Sequence, residues 1–196
     1  MVDTHAHLDM NPFRQDRAEV ISKARDSGVN TIVTVGINLK SSQQAIKLAE
    51  KHTEVLATAG IHPHEAGKVS ETDMASLTKI ADHPRVVAIG ETGLDFHRNY
   101  APREAQLQVL KGQLEVATKL ELPVIIHCRE AEPDMLTILH DWTSSHQAPA
   151  GQPVGVIHCF NSDTDTAWQY LDMGFFISLG AYIGYPTSTD MYDSIR

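Results

Sequence analysis

Pro123-Val124-Ile125-Ile126-His127 is an apolar run that ends in a histidine, and Val154-Gly155-Val156-Ile157-His158 repeats the pattern one helix later. A short, continuous apolar run bounded by turn residues reads as a strand buried on both faces, which is the habit of parallel sheets. Working outward, strand-like runs also occur at residues 2–5, 31–36, 55–60, 86–90 and 175–179. Helix-like stripes fill the intervals. Residues 14–27 carry Ala18, Ile21 and Ala24 on one face, with Gly28 as a stop. Ser41 or Ser42 is the expected cap of a helix running to about His52. Ser70-Glu71-Thr72-Asp73 has the form of a capping box before Met74, Leu77 and Ile80. Pro102 stands where a first helical residue belongs, ahead of a long stripe of Leu107, Leu110, Leu114, Ala117 and Leu120. Helices through about Trp142, over 164–173 and near Ser188 complete the series.

Strands and helices that alternate in this way build βα units around a parallel sheet. Two architectures satisfy that rule, an open doubly wound sheet and a closed TIM-like (β/α) barrel. The polar residues favour the barrel. His5 and His7, His62 and His64, Glu91, His127 and His158 all fall at or just after the C-terminal ends of strands, where barrel enzymes build their sites. Seven units without a change of composition predict one domain over residues 1–196.

The chain has 196 residues and a formal net charge of −9. That balance excludes a broad basic face for nucleic acid, but leaves room for a phosphodiester held locally by metal ions and a few cationic side chains. No apolar run approaches the ~20 residues of a membrane span. The N-terminus enters a strand pattern at once, so a cytoplasmic protein with no membrane partner is expected. Cys128 and Cys159, the only cysteines, make no disulfide framework and read as small buried residues rather than ligands.

The chemistry concentrates in a few positions. His5 and His7 are two residues apart and share one face of the first strand, so both imidazoles can reach one divalent ion. Glu91 follows a buried strand directly, and a carboxylate there is costly to desolvate unless a cation or donor meets it. It is a candidate bridge between two ions. Asp95 either orients a water and accepts a proton, or caps the turn. His127 and His158, at equivalent ends of adjacent strands, are candidate ligands of a second ion. Arg129 shares the parity of His127 and suits a phosphate or carboxylate oxygen. His62 and His64 flank Pro63 in a loop and are candidate substrate contacts, with a second metal pair as the less favoured alternative because the ligand set is nearly complete without them. Mixed nitrogen and oxygen donors suit Zn, Mn, Mg, Fe or Ni. A two-ion site activates water for hydrolysis of a phosphodiester, an ester or an amide.

Five motifs in this order resemble the TatD family of metal-dependent deoxyribonucleases, within the amidohydrolase-like hydrolases. They are Asp3-Thr4-His5-Ala6-His7, Gly60-Ile61-His62-Pro63-His64, Gly90-Glu91-Thr92-Gly93-Leu94-Asp95-Phe96, Ile126-His127-Cys128-Arg129 and Ile157-His158-Cys159-Phe160. The resemblance implies a TIM-like barrel and two divalent metal ions (Mg, Mn or Zn). It implies that His5 and His7 hold one ion, that Glu91 bridges, and that His127 and His158 hold the other. It further implies hydrolysis of DNA, with exonuclease action a frequent theme. Family members continue into an eighth strand ending in a Thr-Asp-Ala-Pro-like motif. That motif does not occur here, and Asp190 and Asp193 lie in a helix-like stretch that makes them poor substitutes. The expectation is therefore a barrel short of its eighth βα unit. Two other readings stand beside the nuclease. One is a hydrolase of a small amide or ester, which the glutamate after strand four disfavours. The other is an inactive barrel remnant that acts as a binding protein.

Overall fold

The computed structural model describes residues 1–145 and 152–180. Seven parallel strands, β1 (Val2–Ala6), β2 (Thr31–Thr34), β3 (Val55–Ala59), β4 (Val86–Asp95), β5 (Val124–Arg129), β6 (Gly155–His158) and β7 (Phe175–Ile177), pair in sequence order from β1 to β7. A doubly wound sheet needs a reversal of strand order at a switch point, and this ladder has none. Among the described residues the architecture is a TIM-like barrel of seven strands, with β1 and β7 as the outer ones. The expected helix near Ser188, together with Asp190 and Asp193, lies outside the described residues.

Six helices among the described residues form the outer layer: α1 (Arg17–Asp26), α2 (Leu39–Lys51), α3 (Asp73–Ala81), α4 (Arg103–Leu120), α5 (Glu132–Ser145) and α6 (Thr164–Asp172). Single 3-10 stretches follow β1 and β3, at Asn11–Phe13 and Pro63–Lys68. Three apolar clusters result among the described residues; one, of Ile61, Ala66, Ala101 and Val109, lies beside the 3-10 stretch after β3, and the other two frame the sheet. The larger of those two lies between helices and sheet, around Ile21, Ile89, Leu110, Met135 and Tyr170. The smaller one gathers Val33, Val35, Ala88 and Ile125. Ile125 precedes His127 by two residues, so strand alternation puts this second core directly beneath the histidines.

Some local expectations are corrected. The cap of α2 is Asn38, not Ser41 or Ser42. The Asn38 side chain accepts from the Ser41 amide, and Ser41 Oγ accepts from the Asn38 amide, which closes a capping box. Asparagine outcompetes the serines because it stands one residue before the helix, in extended backbone. Only half of the second box forms: the Ser70 amide donates to Asp73, while Thr72 makes no side-chain cap. Pro102 is the N-cap of α4 rather than its first residue. The fourth strand runs well past Gly90, to Asp95. Residues 92–95 pair with 126–129 of β5, so Glu91 and Asp95 sit within a strand and not in a loop after it.

Candidate metal and substrate site

The mouth of the barrel is assembled by backbone bonds that cross from strand to strand. The Val35 amide donates to Ala6 O, the Glu91 amide to Gly36 O, and the His62 amide to Ile37 O. These ties bring the ends of β1 to β4 to one level. Gly93 then lets β4 lie against β5: with φ of +144°, a Cβ there would fall 1.9 Å from the His127 carbonyl oxygen. The approach of the two strands sets Glu91 beside His127.

Glu91 is 4% exposed, and its two oxygens face different neighbours. Oε2 lies 3.4 Å from His5 Nε2 and 3.9 Å from His7 Nε2. Oε1 lies 3.0 Å from His127 Nδ1 and 3.8 Å from His62 Nε2. Two compact donor groups share this carboxylate, His5–His7–Glu91 and His62–Glu91–His127. Burial alone would raise the pKa of Glu91. Hydrogen bonds from His127 and His5 outweigh it and hold the group well below the usual carboxylate range.

The surroundings orient each ring. His7 Nδ1 donates to Val35 O at 3.1 Å, which leaves Nε2 free to accept a cation. His5 Nε2 and His7 Nε2 converge to 3.3 Å, and His5 Nδ1 is buried without a hydrogen-bond partner. His158 stacks on His5, with ring centroids 3.4 Å apart. His62 differs from these. Its Nδ1 accepts from the His64 amide at 3.2 Å, so a neutral ring carries its proton on Nε2. Burial pushes the His62 pKa down to about 4, and burial with His5 nearby does the same to His158. Both rings are neutral at pH 7.

Asp95 is fully buried and both of its oxygens are engaged. Oδ1 accepts from the Arg98 amide at 2.8 Å, closing the turn after β4. Oδ2 accepts from His64 Nε2 at 2.9 Å and from His127 Nε2 at 3.1 Å. Burial would raise its pKa, but the Arg98 amide, His64 and His127 together bring it down to about 2. His127 thus bridges two carboxylates. Burial would lower its pKa, and the bonds to Glu91 and Asp95 raise it instead.

A cavity of about 690 Å³ opens over these groups, lined by His5, His7, His62, Glu91, His127 and His158 with Arg129 at its side. The mouth therefore gathers every candidate of the sequence analysis except His64 and Asp95, which lie behind His62 and His127. Cys128 turns toward the helix layer, where Tyr170 Oη donates to its sulfur at 3.8 Å. Both cysteines depart from their expected full burial, each half-buried and at the lining of the cavity; Cys159 does so with φ of +50°, just past the end of β6 at His158.

Two supporting residues escaped the sequence reading. Gln106 and Gln113 of α4 are essentially unexposed. Gln113 binds both the amide and the carbonyl of Ile61, at 2.7 and 2.9 Å, and donates to Thr92 Oγ1 at 2.6 Å. Gln106 accepts from the Asp95 amide at 2.8 Å and donates to Asp95 O and Ala101 O. A seven-residue spacing puts both on one helix face, so the legible signal was polar residues set in the buried stripe of α4.

The donor set suits divalent metal. Clustered imidazoles, an ionised shared carboxylate and carboxylate- or carbonyl-bound second nitrogens are the pattern of a metal centre with an outer layer of support. The family model described as TatD related DNase matches residues 2–196. The 3'-5' ssDNA/RNA exonuclease TatD of Erwinia tasmaniensis is 39% identical over 184 residues, covering 93% of this chain and 69% of that protein. The Escherichia coli K12 protein of the same description is 35% identical over 183 residues, 93% of this chain and 68% of its own length. Among solved structures, the TatD homologue YJJV from E. coli superposes over the whole chain and 73% of its own, with a TM-score of 0.90 and 29% identity. The match along residues 2–196, on a fold and a mouth of this kind, makes the chain a member of the TatD family of DNases.

Proposed function

We propose that this protein is a metal-dependent hydrolase of phosphodiester bonds that works from the end of a nucleic-acid strand, and that residues 1–196 act as a single hydrolase domain. The observation that carries the reading is the division of Glu91, one oxygen toward His5 and His7 and the other toward His127 and His62. A buried carboxylate shared in this way suits two cations. His5 and His7 would hold one and His127, with His158 at hand, the other. Ions bound there would supply Lewis acidity for a phosphoryl oxygen and a water acidic enough to ionise near neutral pH.

The remaining steps belong to side chains. His62 keeps its proton on Nε2, facing the cavity, and donates it to a phosphate oxygen. Arg129, with no side-chain partner among the described residues, adds a forked cationic contact. Asp95 is too enclosed to meet a water itself; it acts as a positioning residue that fixes the His64 and His127 rings. A DNA strand is the favoured substrate. RNA is a second candidate, since the curated relatives are described as acting on ssDNA and RNA. No helix among the described residues is long and apolar enough to cross a membrane.

Elemental analysis beside hydrolysis of end-labelled oligonucleotides tests the reading. Two divalent ions per chain, shortening of labelled strands by single nucleotides, and loss of both in Glu91→Ala are expected. Turnover of small amides or esters with no action on nucleic acid would overturn it.

A further inference from the structure

The structure holds a second concentration of charge, away from the mouth. A pocket of about 360 Å³ on the outer flank, between the 3-10 stretch after β1 and α2, is lined by Arg14, Arg17, Lys47 and Lys51 with a single acid, Asp9. Four of the protein's sixteen lysines and arginines meet there, on a chain whose net charge is −9. Among the described residues no carboxylate pairs with Arg14, Lys47 or Lys51. Lys47 and Lys51 stand four residues apart on one helix, a like-charge spacing that is unfavourable unless an anion answers it.

The cations are ordered along a line. Lys40, Gln44, Lys47 and Lys51 fall on one face of α2 at helical spacing. The first of them is one turn from the mouth, since α2 begins just after Ile37, whose carbonyl accepts from His62. From Lys40 to Lys51 the stripe descends about 16 Å at ~1.5 Å per residue. On its other side, Arg17 is fixed by donating to the carbonyls of Leu8 and Asp9, in the segment that leaves His7. The groove shares no lining residue with the cavity over the histidines; the Lys40 end of the α2 stripe and the segment that leaves His7 connect the two.

We propose that this groove binds the phosphodiester backbone of the single strand whose end occupies the mouth, as an exosite that contacts successive phosphates. The inference rests on the nuclease reading for the direction of the strand. Backbone recognition by fixed and flexible cations is independent of sequence and strongly dependent on salt.

The test compares the wild-type chain with a triple variant, Arg14→Gln, Lys47→Gln, Lys51→Gln; Arg17 is spared because it ties the segment after His7. A second triple variant, Lys79→Gln, Lys111→Gln, Lys119→Gln, makes the same change in net charge on another face. Fluorescence anisotropy, with metal withheld, measures binding of a labelled single strand of about 20 nucleotides across a salt series. Each lost contact lowers the slope of log affinity against log salt by about 0.7, so the groove variant should lose about 2 units of slope and at least about tenfold in affinity near 0.1 M salt. The control triple should keep the wild-type slope. With metal supplied, a dinucleotide too short to reach the groove should be hydrolysed equally by all three proteins. Equal slopes for wild type and groove variant, or equal losses in the two triples, would overturn the exosite. Failure of the wild type to hydrolyse either substrate would count against the nuclease reading, while the anisotropy series still decides the groove.

Discussion

Replacing Gln113 with methionine should cost far more than its volume suggests. The substitution nearly preserves shape but removes a donor and an acceptor at an unexposed position. Three groups lose their partner: the Ile61 amide, the Ile61 carbonyl and Thr92 Oγ1. A buried polar group left unsatisfied costs about 1–3 kcal/mol, and some of that is offset by the apolar character of methionine, so a total near 3 kcal/mol is expected. For a chain of this size each kcal/mol moves Tm by about 2–4 °C, which puts the drop at about 6–12 °C. Function should fall with it. Ile61 precedes His62, and Thr92 follows Glu91, so Gln113 ties together two parts of the site that are distant in sequence. Urea titration gives the stability loss. Hydrolysis well below the melting transition gives the functional one, and about a tenfold fall in kcat is expected. A loss under about 1 kcal/mol with unchanged turnover would refute the claim that α4 holds the mouth by side-chain bonds to its backbone.

Three further outcomes follow from the same geometry. Gly93→Ala should abolish folding or metal binding, because the new methyl would meet the His127 carbonyl, whereas Gly67→Ala, with 3.5 Å to its nearest neighbour, should melt within about 0.5 kcal/mol of wild type; similar melting of the two variants in a thermal scan would sink the argument. Asp95→Asn should leave the fold intact yet weaken metal affinity about 10–100-fold in calorimetric titration, because His64 and His127 lose a charged acceptor; unchanged affinity would remove Asp95 from the site. The metal-free protein should lose stability as pH falls from about 6.5 to about 4. In that window the unfolded chain takes protons that folded His62 and His158 refuse, with their pKa values near 4. His127, raised instead, keeps its contribution below its ordinary value and loses it as pH rises above that value. A urea midpoint that stays flat between pH 7 and 4.5 would contradict this balance.

The parts of the fold that could be read from the chain are those set by short-range rules. Continuous apolar runs such as residues 124–126 have one economical home, the middle of a parallel sheet, and the helix stripes between them leave little choice of connection. The histidines were legible because strand alternation fixes parity: His5 and His7 must share a face, and His127 must stand above Ile125. What the chain did not reveal depends on contacts between distant segments. The extension of β4 through Glu91 to Asp95 is held by pairing to β5, a stretch of backbone that no local propensity announces. The tautomer of His62 is set by the His64 amide, through a turn whose shape appears only once the 3-10 stretch is built. Local pattern thus gives which residues face the mouth, but not which of their nitrogens do.

That last distinction bears on the chemistry. Every histidine at the mouth has the same side chain, so roles can separate only through what each ring does with its second nitrogen. His7 gives its Nδ1 proton to a carbonyl and offers a bare Nε2. His62 accepts a hydrogen bond at Nδ1 from the His64 amide and offers an N–H at Nε2. One is made into an electron-pair donor and the other into a hydrogen-bond donor by backbone groups of neighbouring strands and turns. His127 is poised between them, hydrogen-bonded at both nitrogens to carboxylates, so an ion can use it only by displacing a proton. Metal uptake should therefore release a proton from His127, and the mouth is assembled with its carboxylates already ionised. A site of this kind differentiates five similar imidazoles by scaffold rather than by sequence, which is why the barrel must bring its strand ends to one level before any of them has a function.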